Sequence, residues 1–304
     1  MSASRERTSD PDGRRPEAGT PDRHAPGIGA EGLGPEDLRR IVARDARTAQ
    51  LLGVDFVPCR RAGGTEMDKN DRIAEVKPGP AERSRPMAAA GRDREAKRSA
   101  LEALRERYER DAPHASFATE FTHIVFGEGD PGAEVMFVGE APGAEEDASG
   151  RPFVGRAGKL LNKMIEAMGL SRESVYIANV LKTRPPNNRT PTADEIHACA
   201  PYLFEQIRII GPRALVTLGA PSARLLLGAD PSAAMGALRG AWASFPPDSL
   251  AYELLDGPWE GEAVPVMPTY HPAFLLRSYT TDNRAMVWSD LRQVMDRLGL
   301  EPGP

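Results

Sequence analysis

Short apolar runs alternate with longer amphipathic stretches in the second part of the chain, after about residue 117. The apolar runs are VMFVG (135–139), VYIANV (175–180), ALVTLG (214–219) and VPVMPTY (264–270). Apolar residues recur at helical spacing in the stretches that separate or follow them, which span 157–170, 192–210, 220–228 and 281–299. This alternation predicts parallel β-α units. We therefore expect an α/β fold, a three-layer α/β/α sandwich with a central four-stranded parallel sheet.

Two local signals support the helix boundaries in this part of the chain. Thr192 is followed by Glu195 three residues later, which is the pattern of a capping box at a helix start. Gly169 and Gly299 stand where two of the helices should end, since glycine readily adopts the left-handed conformation of a helix C-terminus. The strand and helix assignments are therefore consistent with local chemistry.

The first 110 residues have a different pattern, and we expect them to form an N-terminal extension. Residues 1–34 are rich in Pro, Gly, Ser and charged residues, which is typical of a disordered tail. Residues 35–110 contain a short amphipathic stretch at 36–52, a Pro-rich linker, and a charged helical stretch at 95–110 whose alternating charges are typical of a solvated helix face. The predicted organisation is a disordered tail (1–34), a helical and linker extension (35–110) and an α/β domain (111–300).

Charge and cysteine content limit which ligands, metal sites and compartments the sequence allows. The chain has 39 Lys and Arg against 44 Asp and Glu, and residues 111–304 carry most of the negative charge, so any polyanion must bind to a local cluster of cations. Two cysteines, Cys59 and Cys199, can form neither a disulfide framework nor a four-thiolate metal site. No apolar run approaches the roughly 18 residues of a membrane span. We expect a cytoplasmic protein with no membrane association.

Candidate site residues follow the predicted strands, because ligands of parallel α/β sheets bind at the carboxyl ends of the strands. Glu140 and His271 each follow a strand, Asn179 ends one, and Phe153 lies in a loop rich in Gly and Pro. A carboxylate can orient water, an amide can read the edge of a base, an aromatic ring can stack on a flat ligand, and a histidine can stabilise negative charge. Each residue also has a structural interpretation, as a turn or core residue. Their expected location at one sheet edge favours a site.

Cations cluster after the second of these strands, where Lys182, Arg184 and Arg189 lie in a loop stiffened by two prolines. Such a loop is a candidate phosphate clamp, with solvated charge as the alternative. Leu276 and Arg277 follow the last strand and could enter a duplex where a base has left the stack. A separate alternative is a phosphohydrolase that holds Mg²⁺ through the acidic residues 145–147, although a solvated loop explains these residues as well.

Four motifs in order, GEAPG, GRPFVGRAG, NVLKTRPPNNRTP and HPAFLLR, make residues 124–298 similar to the family 4 uracil-DNA glycosylases. The resemblance implies hydrolysis of the bond between uracil and deoxyribose in DNA by base flipping, which leaves an abasic site for base excision repair. It implies that Phe153 stacks on uracil, Asn179 binds its Watson–Crick edge, and His271 stabilises the departing base. It also implies that Gly139 and Glu140 line the site and that Glu140 helps the attacking water. Ala141, which we also expect to contact the substrate, stands where the family 1 enzymes have an Asp.

The resemblance also implies a [4Fe–4S] cluster, which relatives hold with four cysteines. The corresponding positions here are Ala112, Ala115, Thr183 and Cys199. We therefore predict no cofactor and no metal site, and we expect Phe117 and Phe121 to support this region by packing. A mixed site of His114, His197 and Cys199 is an alternative.

The expected partner is DNA that contains uracil. We expect a monomer with an extension able to contact other proteins. The alternative function is a DNA-binding module that has lost turnover together with its cluster.

Overall fold

The computed structural model describes residues 87–247, 259 and 262–303. The predicted tail (1–34) and the predicted helix at 36–52 lie outside the described residues, as do Cys59 and most of the predicted extension. Among the described helices, none combines the length and apolar character that crossing a membrane requires.

The described chain alternates strands and helices as the hydrophobic pattern predicts. The strands are β1 (Glu128–Gly129), β2 (Val135–Gly139), β3 (Tyr176–Asn179), β4 (Ala214–Leu218), β5 (Ala243–Phe245) and β6 (Val264–Thr269). The first helices are α1 (Met87–Asp111), α2 (Ala144–Ser149), α3 (Arg156–Ala167) and α4 (Ala193–Ile210). They are followed by α5 (Ala220–Leu227), α6 (Met235–Leu238), α7 (Pro272–Arg277) and α8 (Thr281–Leu298). Short 3₁₀ turns occupy Pro113–Ser116 and Pro186–Asn188.

The sheet has six strands in the order β1-β3-β2-β4-β6-β5. Its four central strands are parallel, with Gly139 opposite Asn179 and Leu218 opposite Thr269, so their carboxyl ends meet at one edge. The predicted parallel sheet of four strands is confirmed. Two short antiparallel strands, β1 and β5, extend it at either side, and the sequence pattern did not predict them because so few residues carry little periodicity.

Alternating residues of the central strands point into two separate apolar clusters. Met136 and Val138 pack with helices α1, α4 and α5 on one face, whereas Val135 and Phe137 pack with α3, α7 and α8 on the other. A strand whose residues are all buried reads as a continuous apolar run, which is why the four central strands were visible in the sequence. The result is the predicted three-layer sandwich.

The long charged helix α1 packs against this sandwich. Leu101, Leu104 and Tyr108 lie on one face of the helix and are buried in the cluster shared with α4, while the charged residues between them face solvent. The ammonium group of Lys97 donates to the carbonyl oxygen of Ile210 at 2.9 Å, which ties α1 to the end of α4. The apolar stripe at spacings of three and four residues was masked in the sequence by the density of surrounding charge. We propose that the folded domain includes α1, so that it begins before residue 111.

The predicted capping signals have the expected geometry. The hydroxyl oxygen of Thr192 accepts from the backbone N–H of Glu195, and the Glu195 carboxylate accepts in return from the N–H of Thr192 at 2.8 Å. Gly169 and Gly299 have φ values of 76° and 68°, which are favourable for glycine alone at a helix end. Local sequence chemistry therefore determines where α3, α4 and α8 begin or end.

Candidate active site

A cavity of about 600 Å³ opens at the carboxyl ends of the parallel strands. Its wall contains residues from the loops after β2, β3 and β6, the places at which the sequence predicted a site. The predicted site residues that line it are Glu140, Ala141, Phe153, Asn179, Arg189, His271 and Arg277. The fold thus brings together side chains that are up to 137 residues apart in the chain, from Glu140 to Arg277.

Gly139 brings the side chains of Asn179 and Phe153 close to the end of β2. A Cβ atom at residue 139 would lie 2.3 Å from the Asn179 amide oxygen and 2.5 Å from the Phe153 ring, so only glycine fits here. The amide oxygen of Asn179 is buried and has no hydrogen-bond partner in the described structure. A buried acceptor without a donor is costly, and the N–H group of a ligand in the cavity would satisfy it.

His271 begins helix α7 with its imidazole turned toward the cavity. Its Nδ1 atom accepts a hydrogen bond of 3.0 Å from the backbone N–H of Ala273, so the neutral ring carries its proton on Nε2. Burial, aided by the positive charge of Arg277, lowers the pKa of His271 to about 4. The ring centroid lies 5.5 Å from that of Phe153 with the planes 32° apart. At neutral pH, His271 therefore offers an uncharged N–H donor beside an aromatic ring.

Glu140 is half-buried where β2 leaves the sheet. Burial raises the pKa of its carboxyl group above the ordinary value. The carbonyl oxygen of Glu140 accepts from the N–H of Leu181 at 3.1 Å, which fixes the loop after β2 against the segment after β3. The cavity thus contains the Glu140 carboxylate at the end of β2, a position suited to a group that binds or activates water. Glu146 also lines the cavity, but its carboxylate is bound to backbone N–H groups.

Residues 151–155, here called the Phe153 loop, carry the aromatic side chain into the cavity wall. The φ angle of Phe153 is 49°, an uncommon value for a residue other than glycine. Glu146 accepts from the N–H groups of Val154 and Gly155 at 3.0 and 2.9 Å, and Arg172 donates to the carbonyl oxygens of Pro152 and Phe153. Sequence reasoning considered Glu146 only as an alternative Mg²⁺ ligand and did not identify Arg172, because neither residue lies in a motif that predicts contacts with this loop.

The structure places the three cations of the predicted phosphate clamp in different surroundings. Lys182 is fully buried, and its ammonium group donates to the Asn179 carbonyl oxygen at 2.7 Å and to the Gln206 side chain at 2.5 Å. The prediction that Lys182 contacts DNA is therefore wrong, because no phosphate can reach this group. Burial also lowers the pKa of Lys182 to about 7. The side chain fixes the end of β3 from inside the protein.

The two arginines of the same loop lie nearer the surface. Arg184 donates through Nε to the amide oxygen of Asn188 at 2.7 Å, and Arg189 forms a two-pronged ion pair with Glu195. Hydrogen bonding from Arg189 lowers the pKa of Glu195 below the ordinary value. Arg189 thus lines the cavity while it is anchored to the capping box of α4.

The segment after β6, which carries the predicted duplex-entering residues Leu276 and Arg277, is a helix. Residues 272–277 form α7, Leu275 is buried, and Leu276 is half-buried against the α3 and α8 face of the core. Pro272 at the first helical position favours this start, since it has no N–H to leave unpaired. Arg277 at the end of α7 is exposed and lines the cavity.

The acidic stretch after β2 is also helical, and the expectation of a solvated loop is wrong. It forms α2, in which Asp147 is buried and accepts from the N–H groups of Thr122 and His123 at 2.7 and 3.1 Å. Glu146 is bound to backbone N–H groups, as described above. The Glu146 and Asp147 carboxylates are thus bound to backbone N–H groups, and no group of metal-binding side chains occurs among the described residues, so the alternative of a Mg²⁺ site at residues 145–147 has no support.

A buried aromatic group surrounds the remaining cysteine. This Cys199 corner comprises Tyr108, His114, Thr183, Cys199 and Tyr202. The Tyr108 hydroxyl lies 4.0 Å from the Cys199 sulfur, and its ring stacks on His114 and meets Tyr202 edge-on, with centroids 5.4 and 5.0 Å away. Burial raises the pKa of the Cys199 thiol to about 11.

This donor set does not fit an iron–sulfur cluster, since thiolates are its ligands and only one thiol is present. His197 is exposed, and no group of metal-binding side chains occurs in the described part of the chain, so the mixed site has no support. Phe117 packs against the core as expected, whereas Phe121 is 39% exposed and touches His114 at its edge. Tyr108, which the sequence did not single out, is the main packing residue of the corner.

A family model and individual relatives of the chain agree with one another. Residues 126–292 match the family described as the Uracil DNA glycosylase superfamily. The chain is 45% identical over 176 residues to a type-4 uracil-DNA glycosylase of Sulfurisphaera tokodaii, a match that covers 58% of this chain and 74% of that protein. It is 44% identical over 183 residues to one of Saccharolobus solfataricus, with 59% and 78% covered. A third relative, from Thermotoga maritima, is 42% identical over 172 residues, with 57% and 81% covered.

Proposed function

The chain belongs to the Uracil DNA glycosylase superfamily, and from this premise we propose that it excises uracil from DNA in base excision repair with the side chains of the strand-end cavity. The observation that carries the proposal is the buried, unpaired amide oxygen of Asn179 beside the Phe153 ring and the uncharged donor of His271. These three groups match the face and edge of a flat base with alternating donors and acceptors. Extrusion of the base from the duplex is part of the proposal, because a cavity within a sheet edge cannot admit a paired base.

Recognition of uracil rests on Asn179 and Phe153. The Asn179 oxygen accepts from uracil N3–H, and its amide nitrogen donates to O4, while the Phe153 ring stacks on the base. Cytosine lacks the N3–H and presents an amino group in place of O4, so it would leave buried polar groups unpaired. Thymine carries a methyl group at ring carbon C5, where uracil has a hydrogen atom.

The reaction replaces the bond between uracil N1 and deoxyribose C1′ with a bond from C1′ to a water oxygen. The electron pair of the broken bond remains on uracil, where negative charge is shared with O2. The Nε2–H of His271 donates to that oxygen, and a neutral imidazole suits this task because it keeps its proton as a hydrogen-bond donor. Glu140 accepts the proton of the attacking water and stabilises positive charge on the sugar.

We assign phosphate contacts to Arg277, which is exposed, and to Arg184 and Arg189, which are half-buried. Arg277 lines the cavity and Arg184 lies on the loop after β3. Arg189 also lines the cavity, although Glu195 already neutralises its charge. With few cations on an acidic domain, binding should be modest and should weaken as salt is added.

The test of the proposed function is an oligonucleotide duplex with one uracil, incubated with excess protein and then treated with alkali. We expect strand cleavage at uracil and none at cytosine or thymine in the same position. Asn179→Ala should lower the single-turnover rate about 100-fold, since about 1 to 3 kcal/mol is lost for each buried polar group left unpaired. Arg213→Gln is the matched control, because Arg213 forms an exposed ion pair with Glu134 at the other end of β4. Tight binding to uracil-DNA without an alkali-labile site would instead indicate the non-catalytic DNA-binding module.

The pH dependence of the rate tests the assignment of Glu140. A proton acceptor must be ionised, and burial raises the pKa of this carboxyl group, so the rate should fall as the pH drops through that raised value. Glu140→Gln should lower the rate and remove this acidic limb. An unchanged acidic limb in the variant would show that another group accepts the proton.

We further propose that the protein functions without an iron–sulfur cluster. Support comes from the donor set and packing of the Cys199 corner, where Ala112, Ala115 and Thr183 offer no thiolate and the Tyr108 ring is fully buried beside the one thiol. Aromatic packing from α1 then supports the segment after β3 that relatives hold through their cysteines. No step of the proposed reaction passes through a metal.

A further inference from the structure

We propose that Arg172 is a positioning residue for uracil excision, which holds the Phe153 loop in the shape that lets the aromatic ring receive the base. This inference rests on the proposed function and adds a residue outside the recognised motifs. Arg172 lies in the turn between α3 and β3 and does not line the cavity in the described structure. Any effect of Arg172 on catalysis must therefore pass through the groups that it holds.

The backbone of Phe153 needs external support. Its φ of 49° belongs to the left-handed region, which a residue with a large side chain adopts only when its surroundings fix it. Gly158 allows this geometry, since a Cβ atom there would lie 1.9 Å from the Phe153 carbonyl oxygen. The first turn of α3 thus packs directly against the Phe153 carbonyl group.

Arg172 binds that carbonyl group and its neighbour. Its Nη1 donates to the Phe153 oxygen at 3.1 Å and to the Asn162 side-chain oxygen at 3.0 Å, while Nη2 donates to the Pro152 oxygen. Its Nε donates to the Glu128 carboxylate at 3.2 Å. The planar guanidinium group has donors in fixed directions, so one side chain links two loop carbonyls to α3 and to β1. The Arg172 side chain is only 12% exposed, which keeps water from competing for these bonds.

The opposite side of the Phe153 loop is held by Glu146, which accepts from the N–H groups of Val154 and Gly155. Arg172 binds the carbonyl oxygens of Pro152 and Phe153, and Glu146 binds the N–H groups that come next in the chain. The loop is therefore fixed on both sides of Phe153. Loss of either anchor frees the residue to leave its left-handed conformation, and the ring then shifts relative to Asn179 and His271.

The experiment measures single-turnover excision by Arg172→Gln in the full chain, with Arg172→Lys as a second variant that keeps the charge but lacks the planar fork. We expect Arg172→Gln to lower the rate about 10- to 100-fold, since a displacement near 1 Å of a positioning group has effects of this size. The concentration of DNA that gives half-maximal rate should stay unchanged, because no phosphate contact is altered. Arg213→Gln serves as the control for loss of an arginine ion pair.

A double-mutant cycle with Phe153→Ala separates positioning from a general structural role. If Arg172 acts through the Phe153 ring, Arg172→Gln should slow the Phe153→Ala enzyme by less than about twofold. The effects of two mutations do not add when the residues are coupled. An equal loss of rate in both backgrounds, or an unaffected rate in Arg172→Gln, would overturn the inference. If Arg172→Gln does not fold, as judged by thermal denaturation, Arg172→Lys takes its place in the same cycle. An inactive wild-type chain would overturn the proposed function, whereas an active wild type with a fully active Arg172→Gln overturns only the role of Arg172.

Discussion

The cavity and the Cys199 corner are joined by the five residues from Asn179 to Thr183, yet they are built in opposite ways. In the cavity, an unpaired amide, a neutral imidazole and a half-buried carboxylate face about 600 Å³ of open space. In the corner, the fully buried Tyr108 packs among other rings beside a single thiol. The reacting groups need space and specific donors, whereas support for the loop requires only rigid packing. The difference indicates that the corner tolerates other side chains as long as they pack rigidly, whereas the cavity depends on its particular polar groups.

Tyr108→Ala should produce the largest effect on stability and test the corner directly. Removal of a buried aromatic ring leaves a hole and costs about 3 to 5 kcal/mol of the free energy of unfolding. Denaturant titration followed by circular dichroism measures this loss. Tyr108→Phe removes only the hydroxyl group and should cost about 1 kcal/mol or less, since the oxygen lies 4.0 Å from the sulfur. Equal losses in the two variants would show that the hydroxyl group, not the ring, supports the corner.

His271→Ala tests the cavity and should have the reverse effect, a large loss of excision rate with a small loss of stability. Loss of a donor to developing charge lowers the rate about 10² to 10³-fold, whereas loss of the cap on Ala273 costs about 1 kcal/mol of stability. Rate is measured with the uracil duplex and stability by the same titration as for Tyr108. A His271→Ala enzyme with the wild-type rate would remove the leaving-group role from this residue.

Cys199→Ala should have the smallest effect of the three. The thiol is buried and behaves as a small apolar group, so its removal costs about 1 kcal/mol and leaves the excision rate unchanged. A protein in which a thiolate held a needed metal would instead lose activity. Comparison of the excision rates of Cys199→Ala and His271→Ala thus sharpens the contrast between the corner and the cavity.

The sequence predicted the central sheet because β2, β3, β4 and β6 are buried on both faces and read as continuous apolar runs. It missed the edge strands β1 and β5, which are too short for a periodic signal. The buried stripe of α1 is hidden among charged residues, and the sequence pattern predicts neither of the short helices α2 and α7. In each case the deciding factor is tertiary packing, which local patterns do not contain.

The site was predictable to the extent that its residues follow strands. Glu140, Asn179 and His271 were placed correctly at one edge because parallel strands bring their carboxyl ends together. The burial of Lys182 was not predictable, since a lysine in a basic loop reads as exposed and its partner Gln206 is 24 residues away. Arg172 was missed because its partners, two backbone carbonyl groups and the side chains of Asn162 and Glu128, are distant in sequence and follow from no pattern around residue 172. The roles of all these side chains in catalysis stay predictions.

The most direct test of the central claim, that an intact cavity excises uracil without an iron–sulfur cluster, combines two measurements on one purified sample. Iron content and absorbance near 400 nm are determined before and after treatment with a chelator, and the single-turnover rate on a uracil duplex is measured in each state. We predict a sample with neither iron nor the absorbance band that excises uracil at the same rate before and after treatment. A stoichiometric iron content, together with loss of excision when the iron is removed, would contradict the account.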